Sequence, residues 1–588
     1  MSDFVFTVRR TNPGQLTKHV QEIYHEDPPQ VVEFHGSWGS LAVSRNLHMG
    51  FDPLETEQHI CIVIGGPVLT FTSNLFLGGD DRIYGTRELL SKWTSGEDLH
   101  WDEDLSGPFV VLKLDKKKRQ VEVITDLMSF IPVYQSEHYP GKVIGTHVDV
   151  VARVADCEER RDPVSIVDFI LNGVVTYPYT LYSEIKQVSP ASKHLWTLGE
   201  SVRHQEKAYW FPREENQYRS LNEAADDLRM GIQSYVNAVT EGMDRVALFL
   251  SGGEDSRTVL GMLPRSCERH AFIFLDQMNR EGRIAQAAAR AYGASFTMLP
   301  RGELWYFKVL QACSDLVGTG AQYRHVHSYG FHKVANLDRY RAVFGGFLSD
   351  TFLKLHLLKK VPGVGRVNFL PYQKSSSQRK RKLSEIIIVH SRVLAELKAR
   401  TDDHLKLVRS VRSEESVEEW FNLWPISMQS EVVHLHGNRR LFASYEPFTA
   451  KTSVKVSAAV PQEWKMRRRL FQKMAQPLLR PSKYLIHSNG WMPYYPWYMN
   501  VLIRRVVWFW RGIHSRFGLM KGNQGPWSDF SLILESTEWK EAVKCAAEAG
   551  IKQEEIFSVG LGDLFTESYL DVYQKLNMMQ IIYQCHKQ

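Results

Sequence analysis

The sequence predicts an α/β protein in two parts: a β-rich N-terminal domain, then a domain built on a parallel sheet, with a helical C-terminal part. Three observations predict it. Short apolar runs broken by turn residues fill the first ~150 positions. From about Leu221 strand-like and helix-like patterns alternate. The chain is 588 residues long, and at ~150 residues per domain it exceeds one ordinary unit.

In the N-terminal part, ICIVI at 60–64 runs into Gly65-Gly66-Pro67. PFVVLKL at 108–114, the charged turn at 115–119 and VEVIT at 121–125 predict a hairpin, and 131–135 with 143–146 predict a second pair. In the second part, 225–240 has helical spacing and VALFL at 246–250 is a buried strand that ends in a Gly pair. AFIFL at 271–275 is the next strand, and the Ala-rich helix at 281–292 stops at Gly293. Strands are expected again at 295–299 and 341–344. Residues 358–382 read as an exposed basic and Gly/Ser loop, and the rest is mainly helical, with a Trp- and Tyr-rich segment at 491–510.

Composition narrows the function classes. Hydrophobic residues make up 43% and charged residues 23%, the values of a globular protein. Lys and Arg number 72 against 66 Asp and Glu, and a net +6 is thin for a dedicated nucleic-acid binder. The six Cys lie far apart without a C-x-x-C, which indicates neither a disulfide framework nor a Cys-type zinc site. MSDFVFTVRR has no apolar leader core, and no apolar run approaches the ~20 residues that span a bilayer. The expectation is a cytoplasmic protein.

The chemistry concentrates in Leu250-Ser251-Gly252-Gly253-Glu254-Asp255-Ser256-Arg257, between a buried strand and a helix. Glycines let backbone approach a ligand, and a helix N-terminus offers unpaired N–H groups to phosphate oxygens. Ser251 and Ser256 can donate to the same anion, and Asp255 beside phosphates makes sense with Mg²⁺ between them. The other common phosphate loop, G-x-x-x-x-G-K-[ST], is absent.

This S-G-G-x-D-S loop resembles the pyrophosphate-binding loop of the PP-loop ATP pyrophosphatases, and the chain as a whole resembles the asparagine synthetase family. AFIFLD and EGRIAQAAARAYG fall where that family has its second strand and helix, and 342–350 (AVFGGFLSD) is similar to its S-G-x-G-x-D-E strand end. Glu446-Pro447-Phe448 and the stretch from Val460-Pro461 to Arg480-Pro481 resemble later family segments. LSGPFVVLKLDKKKRQVEVITDLMSFIPVY is similar to its N-terminal-nucleophile (Ntn) glutaminase domain, a β-sandwich. The resemblance implies a glutamine-amidotransferase-like domain at 1–160, a connecting segment at 161–220 and an ATP-binding synthetase domain at 221–588. It implies ATP and Mg²⁺, with a carboxylate attacking the α-phosphate, pyrophosphate leaving and an amine or ammonia taking the acyl group. Asp255 and Asp350 would be the metal ligands, and Ser256 would act with them in catalysis. Ser251, Gly252 and Gly253 would hold pyrophosphate, Leu250 and Ile273 would border the adenine, and Gly346 would let the nucleotide approach the backbone.

The chain departs from that pattern. Ser2 stands where the family has its nucleophilic Cys, and its glutamine-holding elements map to Gly65-Gly66-Pro67 and Gly85-Thr86-Arg87-Glu88, which points to a retired glutaminase. Thr351 and Phe347 replace acids, and the family's late lysine falls near His487-Ser488, where Arg480, Lys483 or His487 are the candidate substitutes. Members with a dead glutaminase and a rebuilt acceptor site are β-lactam synthetases and lasso-peptide cyclases. The expected substrate is therefore a small-molecule or peptide carboxylate with an amine nucleophile, without a clear nucleic-acid or membrane partner; a homodimer or partner protein would be compatible. The alternatives are an ammonia-using amidotransferase and a non-catalytic nucleotide-binding scaffold.

The pairs His325/His327 and His434/His436, with His332, would share a face on a strand and border the acceptor pocket or a metal. The basic runs at 374–382 and 465–469 read as solvated charge, and 501–517 reads as a packed helix or a membrane-surface segment.

Overall fold

The computed structural model describes residues 2–46, 48, 50–96, 99–137, 142–199, 201–355, 389–516, 523–549, 556–558, 560–566 and 568–586. The 358–382 loop and the 374–382 basic run lie outside them.

Two six-stranded antiparallel sheets build the N-terminal half. One runs Ile185–Gln187, Tyr134–Ser136, Val143–Gly145, Phe4–Thr7, Gly39–Arg45, Gln30–Gly36. The other runs Arg203–Ala208, Ser192–Thr197, Gln120–Thr125, Phe109–Asp115, His59–Gly65, Leu54–Glu55. Alternation along the strands sorts the faces. Phe4, Phe6, Leu41 and Val43 point into a core shared with Ile60, Ile62, Leu112 and Val123 of the second sheet. Val5, Ala42 and Val143 point the other way, under the helices Gln15–Gln21 and Val148–Val154. The expected hairpin forms with Val110 opposite Thr125 and Asp115 opposite Gln120, and the second expected pair forms with Tyr134 opposite Gly145.

Residues 185–208 were expected in a connecting segment, yet they supply three strands of these sheets. Arg203–Ala208 is an edge strand, exposed along its first five residues, so it carries no apolar alternation to betray it.

The second half is a parallel sheet in the order Ser295–Pro300, Glu268–Leu275, Arg245–Phe249, Val343–Phe344, Ser444–Tyr445. The helix Arg280–Tyr292 starts at Asn279, whose side chain accepts from Gly282 N, and ends at Gly293 with φ of 71°. The helix Leu221–Val239 buries Leu228, Ile232, Tyr235 and Val236 in the core shared by both halves. Ile426 N–H donates to Met128 O at 2.8 Å and Trp424 Nε1 to Leu127 O at 3.2 Å, fastening the halves together.

Candidate functional site

The strand Arg245–Phe249 feeds the helix Asp255–Met262 through the glycine loop, at the carboxyl ends of the parallel strands. In doubly wound sheets ligands bind outside that edge, where the strand order reverses. Here the order reverses at this strand, which lies between Glu268–Leu275 and Val343–Phe344.

The loop is tightly stitched. Ser251 N–H donates to Ser256 Oγ at 3.0 Å, the two seryl oxygens lie 3.1 Å apart, and Gly253 N–H donates to Ser251 Oγ at 3.1 Å. Gly252 N–H donates to Glu281 Oε1 at 2.7 Å, so a buried carboxylate already occupies one donor expected to face a phosphate. The buried Arg257 guanidinium reaches the carbonyls of Gly252, Leu485 and Ile486 at 3.0–3.2 Å, and Ser488 N–H donates to Gly252 O. Leu250 and Ile273 are both buried at the ends of neighbouring strands, with Leu250 N–H on Phe272 O at 2.8 Å. Gly346 presses on the loop: a Cβ there would sit 2.8 Å from Ser256 N and 2.9 Å from Asp255 C, a space only glycine fits.

Asp255 and Asp350, expected as partners, do converge. Both carboxylates contact Lys354 Nζ, Asp350 at 2.7 Å, and Glu254 joins at 3.0 Å. Glu254 is also gripped by Arg468, with Nε 2.9 Å from Oε1. Burial alone would raise the Glu254 carboxyl, but Arg468 and Lys354 override it and hold it at about 2. Asp255 goes the other way, to about 7, through burial first and the neighbouring Asp350 next. Lys354 pulls the Asp255 carboxyl down but does not offset its burial and the neighbouring Asp350. Hard oxygen donors are what a magnesium ion takes, and Asp255 and Asp350 are the residues that would hold one here, where Lys354 Nζ contacts both carboxylates.

Lys354 was missed at the sequence level, although its position four residues after Asp350 on one helical face was a readable signal. His487 does lie at the loop, with Nε2 3.7 Å from where a Gly253 Cβ would stand, but burial takes its imidazole down to about 3 and leaves it neutral. Lys483 instead lies over the Tyr484 ring. Positive charge at the loop comes from Lys354 and Arg468. The run at 465–469, read as solvated, is thus partly spent inside: Arg468 on Glu254 and Lys465 on Glu419 in a fully buried pair.

Replacing Lys354 with methionine should lower stability to denaturant by about 3 kcal/mol, since it leaves buried carboxylates uncompensated. Added magnesium should then raise the melting temperature of the variant more than that of the wild type. An equal response would mean that the carboxylates do not hold the ion.

The histidine pairs do not behave as strand pairs. His434 and His436 lie on the helix Val433–Leu441, where a two-residue step turns side chains to opposite sides. His434 Nε2 approaches Glu446 Oε1 at 3.4 Å, whereas His436 Nε2 bonds Phe130 O at 3.1 Å. His325, His327 and His434 gather with ring centroids 5.8 and 6.1 Å apart, close to Phe347, whose N–H donates to Glu446 Oε2 at 2.9 Å. Burial holds His325 and His327 well below the usual imidazole range, so both are neutral groups here. Among the described residues, the grouping whose donor atoms all lie within 4.8 Å is His194, His204 and Glu206, on the edge strand Arg203–Ala208 and its neighbour Ser192–Thr197, not at this loop.

Ser2 is fully buried, with its hydroxyl 2.7 Å from Asn46 Oδ1, 2.9 Å from Ser44 Oγ and 3.2 Å from Tyr24 OH. Burial and Asp3 push the Tyr24 hydroxyl up to about 12, so none of these partners acts as a base at neutral pH.

The chain matches no protein-family model and no curated protein. Among solved structures, it is similar to glutamine phosphoribosylpyrophosphate amidotransferase from B. subtilis complexed with ADP and GMP. The identity is 10% over 52% of this chain and 70% of that one, with a TM-score of 0.24. A structure described as the allosteric regulatory enzyme of purine biosynthesis gives 10% identity, 52% and 69% coverage and a TM-score of 0.24. Overlap this slight constrains neither fold nor activity.

Proposed function

We propose that the chain is an ATP-dependent carbon–nitrogen ligase that activates a substrate carboxylate as an acyl-adenylate and passes it to an amine, without glutaminase activity of its own. The observation that carries this reading is the meeting of Asp255 and Asp350, from two strand ends, beside the seryl loop. A carboxylate oxygen attacks the α-phosphorus, the bond to pyrophosphate breaks, and the amine nitrogen then attacks the acyl carbon as AMP leaves. Ser251 and Ser256 hydroxyls donate to the departing pyrophosphate, and Lys354 and Arg468 stabilise its charge from fixed positions. Gly346 lets its strand end pack directly against the loop backbone at Asp255 and Ser256. Magnesium, when bound, supplies Lewis-acid stabilisation of the same leaving group. The neutral imidazoles of His325 and His327 suit an uncharged or aromatic portion of the acceptor acid.

A second reading, a nucleotide-binding scaffold, is favoured by the hold of Glu281 on Gly252 N–H and by Thr351 and Phe347 in place of acids. One assay separates the two. Purified protein with ATP, magnesium, ammonia and small-molecule cell extract should release AMP and pyrophosphate, and Ser256→Ala should slow release about tenfold or more by removing a donor to a charged group. ATP binding without release would favour the scaffold.

A further inference from the structure

The helix Trp497–Arg516 has two faces of opposite character. One is docked: Asn500, buried, bonds Met492 N–H as acceptor and the carbonyls of Met492 and Tyr495 as donor, and Arg511 donates to Ser488 O at 2.8 Å. The other is open. Tyr498 is 61% exposed, Leu502 69%, Val506 50% and Phe509 68%, and at 100° per residue these four fall within one stripe. Trp508, 81% exposed, flanks the stripe on one side. A globular surface rarely gathers this much aromatic and aliphatic area in one place without using it.

The charge around the stripe identifies the occupant. No Asp or Glu occurs between Glu463 and Asp529, a stretch that holds twelve Lys and Arg. Arg504 and Arg505, both exposed, stand on the helix itself, and Arg505 is adjacent to the stripe. An exposed apolar and aromatic stripe bordered by arginine, with no acid near it in sequence, is the pattern of a helix that lies in the headgroup region of an anionic bilayer. The helix does not cross one: no described helix is long and apolar enough for that. We propose that this helix is a peripheral membrane contact, with the apolar stripe inserted among acyl chains and Arg505 on lipid phosphates, while Arg504 stacks on Trp491 on the docked side. Packing of one face against the 488–495 segment is compatible with this contact because the two faces are distinct.

The test is cosedimentation of the full chain with vesicles. Pelleting is expected with phosphatidylcholine–phosphatidylserine vesicles, much less with phosphatidylcholine alone, and should weaken as salt is raised. The double substitution Leu502→Glu and Phe509→Glu should cut partitioning roughly a hundredfold, and Arg505→Glu should reduce binding to the anionic vesicles only. Both apolar positions are exposed, so the melting temperature should not move. No pelleting, or equal pelleting of the double variant, overturns the proposal. A doubling of mass with concentration that the same double substitution abolishes, without vesicle binding, also overturns it and assigns the stripe to a second copy of the chain.

Discussion

Asp255→Ala is expected to abolish nucleotide-dependent chemistry while leaving the fold in place. Asp255 opens the helix that follows the loop, and its carboxylate meets Asp350 on Lys354 Nζ. An alanine there removes one of the two carboxylates proposed to hold magnesium and shifts the Lys354 charge toward Glu254 and Asp350. A single preorganised group acting on transition-state charge is worth roughly a hundred- to a thousandfold in rate. AMP and pyrophosphate release, measured side by side with the wild type, should fall by that order, and ATP binding should weaken less. Stability should not suffer. Asp255 carries a raised pKa in the fold, so its ionised form is disfavoured there, and removing it relieves repulsion against Glu254 and Asp350. Unchanged release in the variant would eliminate the site as drawn.

The largest effect on stability is expected at Asp3. Its buried carboxylate takes Arg440 through both nitrogens, at 2.8 and 2.7 Å, and Arg439 at 3.2 Å. Burial alone would raise the carboxyl, but the two guanidiniums override it and hold it far below the ordinary range. Asp3→Ala strands two arginines in the interior, at a cost of about 3–5 kcal/mol read by chemical denaturation. The pH dependence follows from the direction of the shift. A depressed folded-state pKa contributes stability that is complete above the unfolded-state value near ~4 and is lost as pH falls below it. Glu254, held at about 2, behaves the same way. Acid denaturation of the wild type should therefore steepen below about pH 4, and Asp3→Ala should flatten that limb. A variant with the wild-type acid profile would show that the carboxylate titrates normally.

What could be read from the chain was local. VALFL followed by a Gly pair and a helix gave the strand–turn–helix, and the turn at 115–119 gave the hairpin. Both depend on residues within a dozen positions of one another. What escaped was long-range. The Asp3–Arg440 pair spans 437 positions, Arg468 and Glu254 are 214 apart, and Gly252 meets Glu281 across 29. No periodicity announces such contacts. The histidine pairs failed for a different reason: H-x-H was read with a period of two, but the segment at 433–441 is helical, so only His434 faces the site. The strand at 203–208 was invisible because its alternation carries no apolar residues.

The Arg257 guanidinium, which touches three carbonyls, has one more consequence. Gly252, Leu485 and Ile486 hang on it, Ser488 hangs on Gly252, and Arg511 of the aromatic helix hangs on Ser488. The seryl loop and the outward-facing helix are therefore two ends of a linkage only a few hydrogen bonds long. A load applied to the helix at a lipid surface would arrive at the backbone of the loop without crossing the sheet, so that docking and turnover become mechanically connected rather than merely neighbouring.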